Sequence, residues 1–252
     1  MEQQIKISIV TIVYNGSNEI EETILSVINQ DYSNIEYIVI DGKSNDGTVK
    51  IIQKYENRIT RFISEADTGI YDAKNKGIKL STGKWINFMN AGDKFASTTS
   101  VSEITKYLTN DYNIVYGDCL LSFNKQSEFI YKKSNDFNIV KYHIPFCHQA
   151  CFVKTDLMRE FLFEKIYSCT GDYNFFFHVY SKGKHRPLKV NIPICIYDMN
   201  GVSNSLTALK EYYLISLIQS KNMYIHFYHL NRYYYALIKK RLKFIFNYLL
   251  NI

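Results

Sequence analysis

The chain has 252 residues, 46% of them apolar and 21% charged, which is globular composition and excludes a disordered protein. Its net charge of +6 sits entirely at the end of the chain. From Tyr212 onward there are six Lys and Arg and no Asp or Glu, which leaves residues 1–211 neutral. A nucleic-acid binder would spread such charge over a folded face with groove-reading elements, and no such motif is present. No run of eighteen apolar residues occurs, so no ordinary membrane span is expected.

Ile7 to Val13 is a continuous β-branched run, the pattern of a strand buried on both faces of a parallel sheet. Asn15-Gly16-Ser17-Asn18 interrupts it, and Ser17 or Asn18 can cap a helix running to about Asn29, with Ile20, Ile24, Leu25 and Ile28 at helical spacing. Ile35 to Ile40 is a second strand. Asp46 caps a helix carrying Val49, Ile52 and Tyr55, and Ile59 to Ile63 is a short third strand. Tyr71 to Leu80 reads as a helix ended by Gly83, followed by the strand Trp85 to Met89. This alternation predicts βαβ units, a mostly parallel sheet and right-handed crossovers.

The pattern then loosens. A helix near Ser100 to Leu108 precedes the strand Asn113 to Tyr116. Residues 119–150 alternate poorly and are expected to hold an edge hairpin and an acceptor-side loop. Phe175 to Tyr180 belongs to a helix, and Pro187 to Tyr197 is extended. The expected organisation is a catalytic domain over residues 1–205 and a helical tail over 206–252.

Three groups of residues carry chemistry. Tyr14-Asn15 after strand one and Asp41 after strand two put an aromatic face and a carboxylate at adjacent strand ends. Together they could sandwich a base whose imide N–H the Asp accepts, although an Asp after a strand is also a common turn residue. The stretch Glu65-Ala66-Asp67 to Lys74-Asn75-Lys76-Gly77 brings acids, an amide and two lysines before and within one helix, beyond what capping alone requires. Finally, Asp93 closes the turn after the Trp85 strand, where open α/β sheets bind ligands. A single carboxylate holds a hard cation well when phosphate oxygens complete the shell.

These stretches in this order resemble family 2 glycosyltransferases of the GT-A fold, a group that includes bacterial O-antigen and capsule transferases. Ile9-Val10-Thr11-Ile12-Val13-Tyr14-Asn15 is similar to the family's first strand. Ile40-Asp41-Gly42-Lys43-Ser44-Asn45-Asp46-Gly47-Thr48 resembles its Asp-Asp-Gly-Ser-x-Asp-Gly-Thr signature. Ser64-Glu65 through Asp67, Gly69-Ile70-Tyr71-Asp72-Ala73 and Asn75-Lys76-Gly77 matches a block of one branch. Asn90-Ala91-Gly92-Asp93 stands where the family has its Asp-x-Asp-Asp metal motif.

The resemblance implies an α/β, GT-A-type mixed sheet flanked by helices. It also implies an inverting transfer of a sugar from a UDP-sugar donor to a saccharide acceptor, polyprenyl-diphosphate-linked, in surface polysaccharide synthesis. Tyr14, Asn15, Asp41, Asp67, Asp72 and Lys76 would serve the donor, and Asp93 would hold Mn²⁺ or Mg²⁺ against its diphosphate. Asp172 falls at the general base, and His148-Gln149 matches a block on the acceptor side. The chain departs from the pattern in places. Asn90 and Gly92 replace acidic members of the metal motif, which lowers the expected affinity for the ion. Gly42 replaces the second Asp after strand two, and Gly171 precedes Asp172 where an acid is usual. A nucleotidyltransferase is the rival enzyme, but its basic triphosphate loop is missing at Tyr14-Asn15-Gly16-Ser17. A noncatalytic glycan-binding protein would have no use for Asp41, Asp93 and Asp172 together.

In the tail, Tyr234, Leu237, Ile238, Ile245, Tyr248, Leu249 and Ile252 recur at helical spacing beside Lys240 and Lys243. That pattern suits a helix lying on an anionic membrane surface. Packing on the catalytic domain, or on a second copy in a homodimer, is the alternative. With no leader-like N-terminus and five unpaired-looking Cys, the expectation is a cytoplasmic protein, peripheral at the inner face of the membrane.

Overall fold

The computed structural model describes residues 4–122, 129–198 and 205–250, with side chains apart from Asp198 and those of 243–250. Nine strands form one mixed sheet. β1 (Ile7–Val13), β2 (Ile35–Asp41), β3 (Arg61–Ser64) and β4 (Trp85–Phe88) are its parallel half, in the order β3-β2-β1-β4. β8 (Cys151–Lys154) then inserts antiparallel between β4 and β6 (Ile114–Ser122). β9 (Pro187–Asp198) runs parallel to β6, and the two-residue β5 (Lys94–Phe95) closes that edge, while β7 (Phe129–Lys132) forms a hairpin with β6.

β-branched residues on both faces of β1 explain the layers. Val10 and Ile12 enter one core, while Ile7, Ile9 and Val13 enter the other, and all seven residues of the strand are buried. Helix α1 (Ile20–Ile28) presents Ile20, Ile24 and Val27 to the second core, joined by Ile52 of α2 (Thr48–Gln53) and by Val101 and Ile104 of α4 (Ser100–Thr105). The first core takes α3 (Ile70–Leu80), α5 (Thr155–Glu160) and the Phe175, Phe176, Phe177 run of α6 (Gly171–Ser181). Helices therefore cover both faces, each fully buried Ile or Phe contributing about 1.5–3 kcal/mol.

Several expectations shift. Helix α1 starts at Ile20 with Glu19 at its cap position and no side-chain cap, so neither Ser17 nor Asn18 occupies that position, and Ser17 donates its backbone N–H to Asp46. Helix α2 has Gly47, not Asp46, at its cap position; Asp46 lies one residue earlier and accepts from the Thr48 N–H and hydroxyl, at 3.1 and 2.5 Å. The strand expected to stop at Tyr116 continues as β6 through an irregularity at 116–119. β8 and α5 were not anticipated, being four and six residues long.

After residue 205 the chain forms α7 (Leu206–Gln219) and α8 (Met223–Leu250). Helix α7 packs on the preceding fold, with Ala208, Ile215 and Ser216 fully buried. Its Glu211 accepts from the Ser168 and Thr170 N–H groups at 2.8 and 3.1 Å, and from both hydroxyls at 2.7 Å. The first half of α8 is also seated. His229 lies 3.1 Å from both the Tyr173 hydroxyl and the Lys141 carbonyl. Beyond it Tyr234, Tyr235, Ile238 and Leu242 are exposed. Among the described residues no helix is long and apolar enough to cross a membrane.

Candidate functional site

Three parallel strands end on one edge, so β1 delivers Tyr14, β2 delivers Asp41 and β4 delivers Asn90 to the same rim. Because β8 is antiparallel to β4, its beginning lies on that rim as well, and the 148–150 turn before it meets the turn after β4. The N-termini of α3 and α6 open there too, with Tyr71 in the first turn of one and Asp172 in the first turn of the other. A carboxylate in a helix's first turn faces the positive end of its dipole.

A cleft of about 450 Å³ opens at this rim, lined by Tyr14, Asn15, Asp67 and Asn90 among others. Asp41 is fully buried beside it. One of its oxygens accepts from the Ser64 hydroxyl at 2.6 Å and the Ser44 N–H at 3.0 Å. The other, Oδ1, is buried without a partner among the described residues, an acceptor left open. Tyr14 is 68% exposed and free to present its ring. At Gly42 an added Cβ would sit 2.8 Å from Asp67 Oδ2 and 3.3 Å from the Tyr14 ring, so glycine is what lets these two approach.

The remaining donor-side candidates act as braces. Asn15, at φ 49°, donates its N–H to Ser44 and accepts from the Asn45 N–H, tying the loops after β1 and β2 together. Asp67 accepts from the Gly69 N–H, and Asp72 accepts from the Thr68 N–H and pairs with Lys165 at 3.2 Å. Lys76 turns back to Glu65 at 2.9 Å and the Ala66 carbonyl at 3.0 Å. Neither Asp72 nor Lys76 lines the cleft.

Behind the cleft the chemistry converges. Asp172 takes a hydrogen bond from the Tyr71 hydroxyl on one oxygen and from His148 Nδ1, at 3.1 Å, on the other. His148 Nε2 faces the Asn90 amide at 3.0 Å and Lys74 Nζ at 3.4 Å. Both neighbours are donors, so Nε2 carries the lone pair and Nδ1 the proton, with Asn90 oriented to suit. Burial, then the Lys74 ammonium, push the His148 pKa down against the pull of Asp172, in keeping with a neutral ring rather than an ion pair. Burial raises the Asp172 carboxyl, but Lys74, His148 and Tyr71 outweigh it and hold it well below the usual carboxylate range.

Lys74, given no role of its own among the two lysines of its stretch, sits at the centre. Its side chain is 1% exposed. Nζ lies 5.5 Å from the Tyr71 ring centre and 5.3 Å from those of Phe88 and Phe163. Burial lowers its pKa, while Asp172 and then Asp93 draw it back up, so it is a cation shared by two carboxylates. The signal was its phase. Tyr71, Lys74 and Ile78 fall at i, i+3 and i+7, on the buried stripe of α3.

Asp93 is 6% exposed and accepts a hydrogen bond from the Gln149 side-chain amide. The side-chain oxygens of Asn90 and Gln149 are buried without partners among the described residues. Carboxylate and amide oxygens are hard donors, the kind that suits Mn²⁺ or Mg²⁺. Among the described residues no three His, Cys, Asp or Glu side chains gather as a metal cluster, so substrate oxygens would have to finish the shell. Gly171 has its own reason. An added Cβ would lie 2.7–2.8 Å from three Tyr71 ring carbons, so the ring fills the space a side chain at 171 would need.

A nucleotide-sized cleft at the carboxyl ends of a mixed α/β sheet, with a buried two-carboxylate centre behind it, defines a GT-A-like protein. The family model described as Glycosyl transferase family 2 matches residues 8–207, and the chain belongs to that family. It is similar to a PGL/p-HBAD biosynthesis glycosyltransferase of Mycobacterium tuberculosis, 24% identical over 188 residues and 72% of each chain. A putative teichuronic acid biosynthesis glycosyltransferase, TuaG of Bacillus subtilis, is 35% identical over 92 residues, covering 35% of this chain and 36% of that one. Among solved structures, S. aureus TarS 1–349 in complex with UDP-GlcNAc superposes with a TM-score of 0.68 at 16% identity. That match spans 91% of this chain and 73% of TarS. The mannosyltransferase PcManGT from Pyrobaculum calidifontis, in complex with GDP-Man and Mn²⁺, also scores 0.68, at 14% identity over 96% and 76%.

Proposed function

We propose that this glycosyltransferase moves a sugar from a UDP-sugar to a hydroxyl of a saccharide acceptor with inversion, Asp172 receiving the acceptor's proton. The observation that carries the reading is the pair Asp93 and Asp172, tied together through His148-Gln149: Asp172 lines the second cavity, and Asp93 is buried in the turn whose Asn90 and Ala91 line the donor cleft. Asp172 and His148 line a second cavity, of about 360 Å³, next to the donor cleft.

The geometry supports the following roles. Asp41 Oδ1 offers the acceptor that a uracil imide N–H needs, and Tyr14 offers a face for the ring. The binding of UDP-GlcNAc by TarS supports a uridine donor, whereas PcManGT binds GDP-Man, so the base is settled by experiment rather than by fold. In the transfer, the acceptor oxygen attacks the anomeric carbon while the bond to the diphosphate breaks. As the new C–O bond forms, the hydroxyl becomes strongly acidic, so even a weakly basic carboxylate such as Asp172 can take its proton. His148 and Tyr71 hold that carboxylate in one orientation. Asp93, with Asn90 and Gln149 oxygens beside it, would hold Mn²⁺ or Mg²⁺, which supplies charge neutralisation for the departing diphosphate. A single base and a single displacement give inversion.

The relatives' names support surface glycan synthesis, and a lipid-linked acceptor agrees with the outer face of the tail. Met223, Phe227, Tyr234, Ile238 and Leu242 are exposed on one side of α8, next to exposed Lys239, Lys240 and Arg241. An apolar stripe flanked by cations suits the anionic inner face of a membrane.

The test is a hydrolysis and transfer screen with UDP-glucose, UDP-galactose, their N-acetyl forms and GDP-mannose, reading nucleoside diphosphate release. UDP release that is lost in Asp172→Asn supports the assignment. Release of GDP alone, or turnover retained in that variant, would overturn it.

A further inference from the structure

The cavity next to Asp172 has a charged far wall that proton transfer does not use. Lys132 of β7 and Arg232 of α8 line it together with His143, Thr170, Tyr212 and Tyr228. The Arg232 guanidinium sits over two rings, its central carbon 5.5 Å from the Tyr212 centre and 5.6 Å from that of Tyr228. Its Nη1 is buried, and no group among the described residues accepts from it. A buried guanidinium nitrogen without an acceptor is costly, and the two rings hold the cation in place. It is an anion site in waiting, set in advance by two tyrosines.

The charge balance agrees. The carboxylate among the lining residues is Asp172, and it is already engaged by Tyr71 and His148, with Lys74 nearby. Lys132 and Arg232 thus leave the opposite wall with surplus positive charge. Their influence is visible on His143, whose pKa is pushed down by burial first and then by Arg232 and Lys132.

We propose that the acceptor carries an anionic group, a phosphate or a sugar carboxylate, which Arg232 binds through its fork with Lys132 assisting, so that a neighbouring hydroxyl faces Asp172. This rests on the transfer reading above and adds the class of acceptor. The two groups share one chemistry, a planar or tetrahedral oxyanion that a guanidinium pairs with by parallel hydrogen bonds.

The experiment is a calorimetric titration of the full chain, with UDP present, using glucose 1-phosphate, glucuronate and glucose as probes. At least one anion should bind about 10- to 100-fold more tightly than glucose, the range a charge-assisted hydrogen bond supplies. Preference for glucose 1-phosphate points to a phosphorylated acceptor, preference for glucuronate to a uronic acid, and either supports the proposal. Arg232→Gln should abolish the preference, and Lys132→Gln, on an exposed strand, should weaken it and its salt sensitivity. If neither anion binds more tightly than glucose, or the preference survives in Arg232→Gln, the proposal falls. It also falls if Arg232→Gln loses affinity for UDP instead, since the guanidinium would then serve the donor's diphosphate. Should Arg232→Gln fail to fold, Arg232→Lys and Lys132→Gln decide the matter by the same comparison. UDP-sugar hydrolysis measured on the same preparation separates failure of this inference from failure of the transfer reading.

Discussion

His148 and Gln149 are consecutive in the chain and turn to different carboxylates, His148 to Asp172 and Gln149 to Asp93. One short turn ahead of β8 therefore sets the relative placement of the groups assigned to the acceptor proton and to the diphosphate. Moving that turn moves both.

Asp172→Asn keeps the shape of the side chain but cannot take a proton. UDP affinity should stay within twofold while kcat falls about 10²–10⁴-fold, the usual share of a general base. Near-normal kcat in a folded variant would remove Asp172 from the role.

Asp41→Ala removes the open oxygen beside the cleft. Loss of a charge-assisted hydrogen bond to the base should weaken UDP by about 1.5–3 kcal/mol, read by calorimetry. Unchanged affinity would leave Asp41 as a brace for Ser44 and Ser64 only.

The pH profile follows from two depressed values. Asp172 titrates below its ordinary 3.8 and His148 below its ordinary 6.5, so neither has its midpoint between pH 6.5 and 8. The transfer kcat/KM should be flat over that interval, with its acid limb below 6.5. For stability the sign is the same for both groups. The unfolded chain binds more protons, so each contribution is complete above the unfolded pKa and fades on acidification. A limb centred above 6.5 in kcat/KM would mean that His148 is protonated in the working enzyme.

Lys74→Met leaves two largely buried carboxylates without their shared cation. Stability at pH 7 should drop by about 3–5 kcal/mol in denaturant titrations. The deficit should shrink toward pH 5, because Asp172, without the Lys74 cation that lowers its pKa, then takes up its proton more readily than in the wild type. A deficit independent of pH would show that Lys74 acts through packing on Phe88 and Phe163 alone.

Truncating the tail is a poor test of membrane attachment, because Glu211 holds the segment leading to Asp172. Ile238→Ser with Leu242→Ser instead removes apolar contact from the outer face. The double variant should sediment less with phosphatidylglycerol vesicles while keeping donor hydrolysis, and salt should weaken the remainder, at about 1 kcal/mol per basic residue. Unchanged vesicle binding would reassign that face.

The parallel half of the sheet was readable because β1 and β2 are long apolar runs closed by turn residues. β8 was not, since Cys151-Phe152-Val153-Lys154 is too short to show a period and its place is fixed by pairing with β4 and β6. Asp93, His148, Gln149 and Asp172 could be named in advance, but not their hydrogen bonds to one another, which depend on that antiparallel insertion. Lys74 reads as one more solvated helix lysine until its phase against Tyr71 and Ile78 is counted. Arg232 reads as tail charge, and only the return of α8 over the cavity gives it another meaning.

Tyr71 and Gly171 occupy one volume between them. A glutamate at 171 would require the aromatic ring at 71 to shift or shrink, and with it the phenol that steadies Asp172. The two positions should therefore change together or not at all. An acid written into 171 alone should be rejected by the fold, and tolerated once Tyr71 is reduced to alanine.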